Sequence, residues 1–387
     1  MSKLYILILI LTVICFNISG KVKTGADRID DYINLLNGKR VGVIVNQTSV
    51  LQNGTHLVDT LLKRGVNITS IFAPEHGFRG NADAGETVNN GIDTKSGLPI
   101  ISLYGKNKKP TKEQLAKTDI LLFDIQDVGA RFYTYLSTMY YAMQSASQYG
   151  VDFIVLDRPN PNDHVDGPVI DESLYSFVGA LPIPVMHGMT VGELATMIKG
   201  ENWNGTGNLA LKVIPVQGWR HGDPYHLAVK PSPNLPNDRS IGFYPSLCLF
   251  EGTIISVGRG TVMPFQVIGA PDKKFGNFTY TPLSLEGFDK NPMYKGKTCY
   301  GRDLRREAEP EGFSLSYIID MYKLSGEGEN FFSSPSFFDK LAGDTILRQD
   351  IIEGKSEKEI RNRWNLKLNE YKNLRKRYLI YPDYTYK

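Results

Sequence analysis

Cysteine is scarce: three in 387 residues, one of them, Cys15, inside an N-terminal apolar run. The remaining two, Cys248 and Cys299, are too few for a disulfide framework and lack Cys-x-x-Cys spacing. Both are expected as free, separately buried thiols. There is no His-Glu-x-x-His, so no metal is expected, and nothing points to another cofactor. No Gly-x-Gly-x-x-Gly follows the first predicted strand, which removes the usual case for a dinucleotide. No Gly-x-Ser-x-Gly marks a serine nucleophile. Neither sign of charge dominates: 44 Lys and Arg stand against 41 Asp and Glu. That balance leaves no footprint for nucleic acid. Only one apolar run is long, residues 4–16, behind Lys3 and ahead of Asn17-Ile18-Ser19-Gly20. It is short for a membrane span and reads as a signal peptide over residues 1–20. The protein is therefore expected to be exported to the periplasm or cell surface, with no integral membrane span once the signal is cleaved.

What is present is an alternation of short β-branched runs with helical patterns. Strands are predicted at residues 40–46, 66–72, 99–103, 119–123, 151–156, 184–186 and 209–216. Helices are predicted between several of them, the longest over 134–149 with Gly150 as its stop. Thr190-x-x-Glu193 is a capping box opening another helix. This is an α/β pattern: a Rossmann-like parallel sheet with helices on both faces, over residues 21–225. A break at Gly222-Asp223-Pro224 leads into a smaller α+β domain, residues 226–387, with a strand at 264–270 and helices near 315–324 and 356–376.

Ligands of open α/β sheets bind beyond the carboxyl ends of the strands. Three predicted strands end in charged or amide-rich loops. The first is Pro74-Glu75-His76-Gly77-Phe78-Arg79-Gly80, in which glycines let the chain fold its charges inward. The second runs Asp124-Ile125-Gln126-Asp127-Val128-Gly129-Ala130-Arg131-Phe132-Tyr133-Thr134-Tyr135. The third is Asp157-Arg158-Pro159-Asn160-Pro161. His187, ending the strand at 184–186, is placed on the same sheet edge. Glu75 is the leading candidate for a reacting carboxylate. The 11% aromatic content, with 21 Tyr, suits sugar rings, although most tyrosines only fill packing space.

These motifs, with His187-Gly188-Met189-Thr190-Val191-Gly192-Glu193, Pro231-Ser232-Pro233-Asn234-Leu235-Pro236 and Glu251-Gly252-Thr253, occur in register along nearly the whole chain after the signal. The sequence resembles the bacterial exo-β-N-acetylmuramidases, hydrolases of peptidoglycan sugars. The resemblance implies a two-domain exported enzyme with a cleft between its domains. It also implies removal of N-acetylmuramic acid from the non-reducing end of peptidoglycan fragments, with Glu75 as the catalytic carboxylate.

Glycoside hydrolysis usually needs a second carboxyl group. Asp124, Asp127 and Glu251 are candidates, Asp127 being favoured because Gly129 permits close approach. His76 is expected to orient Glu75 or share its proton. Muramic acid carries a lactyl carboxylate, for which an arginine fork is the natural receptor, and Arg79, Arg131 and Arg259 are the candidates. One of Tyr133 and Tyr135 is expected at the sugar and the other in the core. Asn160 and Asn234 suit hydroxyls or the N-acetyl group. The expected substrate-binding set is thus Arg79, Asp124, Gln126, Arg131, Tyr133, Asn160, His187, Asn234, Glu251 and Arg259, and the expected partners are muramic acid saccharides from peptidoglycan. The rival is a cell-wall sugar-binding protein without turnover.

Overall fold

A computed structural model describes residues 21–79, 86 and 89–384. The signal peptide read over residues 1–20, and Gly80 of the first motif, lie outside the described residues.

The run Val-Gly-Val-Ile-Val forms β1 (Val41–Val45), buried along its whole length, as a strand covered on both faces must be. The sheet around it contains β2 (Ile68–Ala73), β3 (Gly91–Ile92), β4 (Pro99–Ser102), β5 (Ile120–Asp124), β6 (Asp152–Leu156) and, later in the chain, β9 (Leu211–Ile214). Their order is β3-β4-β2-β1-β5-β6-β9. All pairs are parallel except β3 with β4. Strands are added to one side of β1 and then to the other, which makes the gap between β1 and β5 the switch point of the sheet. The loops after β1, β2, β4, β5 and β6 therefore open on one edge.

Helices α1 (Ile29–Leu36) and α2 (Leu57–Lys63) cover one face, packing into a core with Val43, Ile71 and Leu122. The other face receives the short α3 (Lys112–Leu115), α4 (Tyr135–Tyr149) and α5 (Val191–Gly200). Helix α4 stops at Gly150, whose φ of 68° is cheap only for glycine. The Thr190–Glu193 capping box is present at α5: the Glu193 amide donates to Thr190 Oγ1 and the Thr190 amide to Glu193 Oε2.

One strand is not where the sequence put it. Residues 184–187 form β8 (Pro184–His187), which pairs antiparallel with β7 (Val165–Val169) in a separate two-stranded ribbon. His187 is therefore not on the edge of the main sheet. An apolar run reveals a buried strand but not its neighbour. Here the Arg131 amide donates to Val185 O and ties the ribbon to the loop after β5.

The expected domain boundary falls in the irregular stretch between β9 and α6 (Asp238–Leu247). Beyond it lie α6, a three-stranded antiparallel sheet of β10 (Val267–Ala270), β11 (Phe278–Tyr280) and β12 (Cys299–Asp303), in the order β10-β12-β11, and, among the described residues, four further α-helices. Gly301 is obligatory in β12, since a Cβ there would sit 1.8 Å from Ile268 O. The helices are α7 (Ser316–Ser325), α8 (Pro335–Ala342), α9 (Leu347–Ile352) and α10 (Glu357–Arg375). The apolar core under α4 and α5 continues without a break into this half, through Phe243, Phe313 and Trp364, so the two halves are packed together rather than tethered. Cys248 and Cys299 are both free and buried. No helix among the described residues is long and apolar enough to cross a membrane.

Candidate active site

Strand β2 ends at Ala73, and Pro74, with no amide hydrogen, takes the chain out of the ladder. The Gly77 amide donates back to Pro74 O, closing a turn around Glu75. His76 and Gly77 both lie at positive φ, 67° and 76°. Glycine adopts that region freely. A histidine does so at a cost of order 1 kcal/mol, and such strain is held only where the surroundings enforce it. The result is a side chain turned back over the sheet edge: Glu75 and His76 are both buried.

The Glu75 carboxylate is held from two sides. Thr134, at the start of α4, donates from Oγ1 to Glu75 Oε2 at 2.6 Å. Tyr104, just beyond β4, also hydrogen-bonds it, and the Tyr104 hydroxyl is pushed up by burial and further by the Glu75 charge. The catalytic candidate thus draws on the ends of three parallel elements, β2, β4 and the β5–α4 loop, which the sheet topology brings together.

A cavity of about 550 Å³ opens over Glu75. The N-terminal half contributes Glu75, His76, Tyr104, Lys108, Tyr133 and Thr134, and the C-terminal half Asn234, Tyr244, Glu251, Arg259, Phe265 and Asp289. Phe132, Phe177 and Phe337 add ring faces to its wall. Arg259 donates from Nε and Nη2 to Glu251 Oε1 at 3.2 and 2.5 Å. Burial opposes the Arg259 charge, but the Glu251 carboxylate more than offsets it and raises the pKa. Lys108 stands over the Phe177 ring at 4.8 Å and makes no ion pair among the described residues. The proline-dense segment is docked at one end of the cavity by its Pro231 carbonyl. That carbonyl accepts from Tyr133 at 2.8 Å, Tyr135 at 3.1 Å and Gln47 at 3.0 Å.

Of the residues singled out from sequence, Glu75, His76, Tyr133, Asn234, Glu251 and Arg259 meet at this cavity. The others do not line it, and their placement corrects the sequence reading. Asp127 accepts from the Gly129 amide at 2.7 Å and from His187 Nε2 at 3.1 Å, below the loop rather than in the cavity. His187 Nδ1 in turn accepts from the Met189 amide, which leaves Nε2 as the protonated nitrogen facing Asp127. Asp124 is fully buried against Arg158 at 2.6 Å. Arg131 is buried and donates to the carbonyls of Pro168, Ile183, Leu341 and Ala342, so it joins the β7–β8 ribbon to the end of α8 instead of meeting a ligand. Gln126 donates to Asp127 O and Pro159 O and borders a separate hollow. Asn160 donates to Met189 O and accepts from the Asn162 amide. Arg79 lies outside the cavity, bonded to Asp93 at 2.8 Å and stacked over Phe78.

Tyr104, Lys108 and Thr134 were not singled out from sequence. Tyr104 had a signal: it directly follows a predicted strand on the same edge as Glu75. Phe177 and Asp289 sit in irregular segments that give no periodic pattern.

A buried carboxylate at a sheet edge, sharing a cavity with aromatic rings and a second carboxylate, is the arrangement of a glycoside hydrolase, the class in which sequence similarity places the protein. Residues 41–239 match the N-terminal domain, and 242–381 the C-terminal domain, of the family described as exo-β-N-acetylmuramidase NamZ. The chain belongs to that family. It is 42% identical, over 93% of its length and 92% of the relative's, to the peptidoglycan β-N-acetylmuramidase NamZ of Bacillus subtilis strain 168. Two crystal structures of DUF1343 family proteins from Bacteroides fragilis share the fold. One has a TM-score of 0.86 and 44% identity, with 94% of this chain and 100% of that chain covered. The other has a TM-score of 0.81 and 28% identity, with 93% and 99% covered.

Proposed function

We propose that this protein is an exported exo-β-N-acetylmuramidase, releasing N-acetylmuramic acid from the non-reducing end of peptidoglycan fragments in the periplasm or at the cell surface. The observation that carries the reading is Glu75: a buried carboxyl group at the cavity floor, positioned by the hydroxyls of Thr134 and Tyr104. Its role is to give a proton to the glycosidic oxygen as the bond to the leaving sugar breaks. Of the three carboxyls considered for the second role, only Glu251 lines the cavity. Paired with Arg259, it is the group to face the positive charge that develops at the sugar's anomeric carbon. The lactyl carboxylate of the substrate is met by Arg259 and Lys108, the first already shared with Glu251. The aromatic wall takes the apolar face of the ring. Export rests on the positively charged, apolar N-terminal segment.

The test is a chromogenic β-glycoside of N-acetylmuramic acid beside its N-acetylglucosamine counterpart. The wild type should cleave the first in preference to the second. Glu75→Gln should abolish release while keeping the wild-type melting profile. Undiminished release by Glu75→Gln would remove the assignment, and binding without turnover by the wild type would favour the sugar-binding reading.

A further inference from the structure

Among the described residues that line the cavity, Asn234 carries a buried hydrogen-bond acceptor with no donor, its Oδ1. The side chain is 2% exposed. Leaving such a buried oxygen unpaired disfavours the empty state, and native structures keep few of them. Its orientation is settled by the other end of the amide, where Nδ2 donates to Phe288 O at 2.8 Å. Turning the amide over would set two oxygens against each other, so the unpaired atom of Asn234 is its oxygen, which can only accept. The second asparagine considered from sequence, Asn160, has both ends of its amide engaged and lies off the cavity.

A hydrogen-bond donor that carries no lone pair of its own is the natural complement of an acceptor-only group. Sugar hydroxyls donate and accept, and water serves them equally well. The N–H of an acetamido group only donates, and it must find an acceptor when the site excludes water. We propose that Asn234 reads the acetamido N–H of the sugar bound over Glu75, and so sets the requirement for an N-acylated amino sugar. This rests on the muramidase reading and names the residue that recognises one substituent of its substrate. The carbonyl of Phe288 is the positioning group: it holds Nδ2 and thereby aims Oδ1.

The experiment removes the donor and the acceptor separately. Chromogenic β-glycosides of N-acetylmuramic acid and of its 2-acetoxy counterpart differ only by oxygen in place of N–H. The wild type should favour the amide. In Asn234→Leu, the amide-to-ester ratio of kcat/KM should fall about 10- to 100-fold, because the loss is confined to the substrate that has the N–H. Asn234→Ala is the second variant, should leucine not be accommodated. Parallel losses on both glycosides, leaving the ratio unchanged, would overturn the proposal. So would equal wild-type rates on the two substrates, whatever the variants do. A wild type that cleaves no muramic acid glycoside at all refutes the muramidase reading, and this inference with it, which is a separate outcome from a wild type that cleaves both alike.

Discussion

Replacing His221 with glutamine should flatten the alkaline limb of the stability curve. His221 lies where the end of the chain crosses the α/β domain. Its Nδ1 is 2.9 and 3.0 Å from the two oxygens of Asp163, and its Nε2 is 3.0 Å from Glu193 Oε1. The same Glu193 oxygen accepts from the amide of Ile380, and the His221 amide donates to Pro382 O, so the imidazole anchors the C-terminal segment. Burial works against its charge, and the Arg375 guanidinium also stands 3.3 Å from Nδ1. The two carboxylates outweigh burial and raise the pKa from 6.5 to about 9. At about 1.36 kcal/mol per pH unit, the protonated imidazole contributes about 3 kcal/mol to folding. The pKa is raised in the folded state. The contribution is therefore present in full below pH 6.5 and is lost as pH climbs through 9. Asp157, pushed up to about 7 by burial, loses its share in a lower window, between about pH 4 and 7, because ionising it in place is unfavourable. From pH 7.5 to 9.5 the buried thiols of Cys248 and Cys299 and the buried tyrosine hydroxyls, whose ionisation burial opposes, add to the decline, so the share of His221 is the difference between wild type and variant. From pH 7.5 to 9.5 the imidazole loses about 2 kcal/mol of that contribution, and for a chain of this size the unfolding entropy is about 0.8 kcal/mol per degree, so this loss should lower the wild-type melting temperature by about 2 °C across that interval. His221→Gln should melt lower at pH 7, since it strands two buried carboxylates, but its decline from 7.5 to 9.5 should be shallower than the wild type's by about 2 °C. Calorimetry over a pH series measures both. An equal alkaline decline in the variant would refute the reasoning.

Two further substitutions separate positioning from packing. Thr134→Val keeps the shape but deletes the donor to Glu75 Oε2, and should lower kcat/KM about 10-fold with an unchanged melting temperature, measured on the chromogenic muramic acid glycoside. Arg131→Met should do the opposite: it strands four backbone carbonyls and costs about 3 kcal/mol in urea unfolding.

The contrast between Glu75 and Arg131 shows how far a site can be read in a sequence. Both follow buried strands, and both stand in loops with glycine. For Glu75 the outcome is decided locally, by Pro74 ending the strand and by the positive φ angles of His76 and Gly77 turning the chain back. For Arg131 it is decided by the carbonyls of Leu341 and Ala342, which reach it from the far end of the chain through α8. Asp127 is similar, its direction being set by His187 on a ribbon whose pairing partner the sequence did not disclose. Loop composition marks a region, and long-range contacts choose which side chains face the ligand.

The sequence by itself determined the alternation of apolar strands and helices, the helix caps, and the collection of strand ends on one edge, because those follow from periodicity and local backbone preference. Only the tertiary structure decided that Glu251 and Asn234, from the second half of the chain, stand across a cavity from Glu75. It also decided that Arg131 and Asp124 are buried away from it. Burial and hydrogen-bond pairing between distant segments depend on how whole layers pack, and no short stretch of residues encodes that alone.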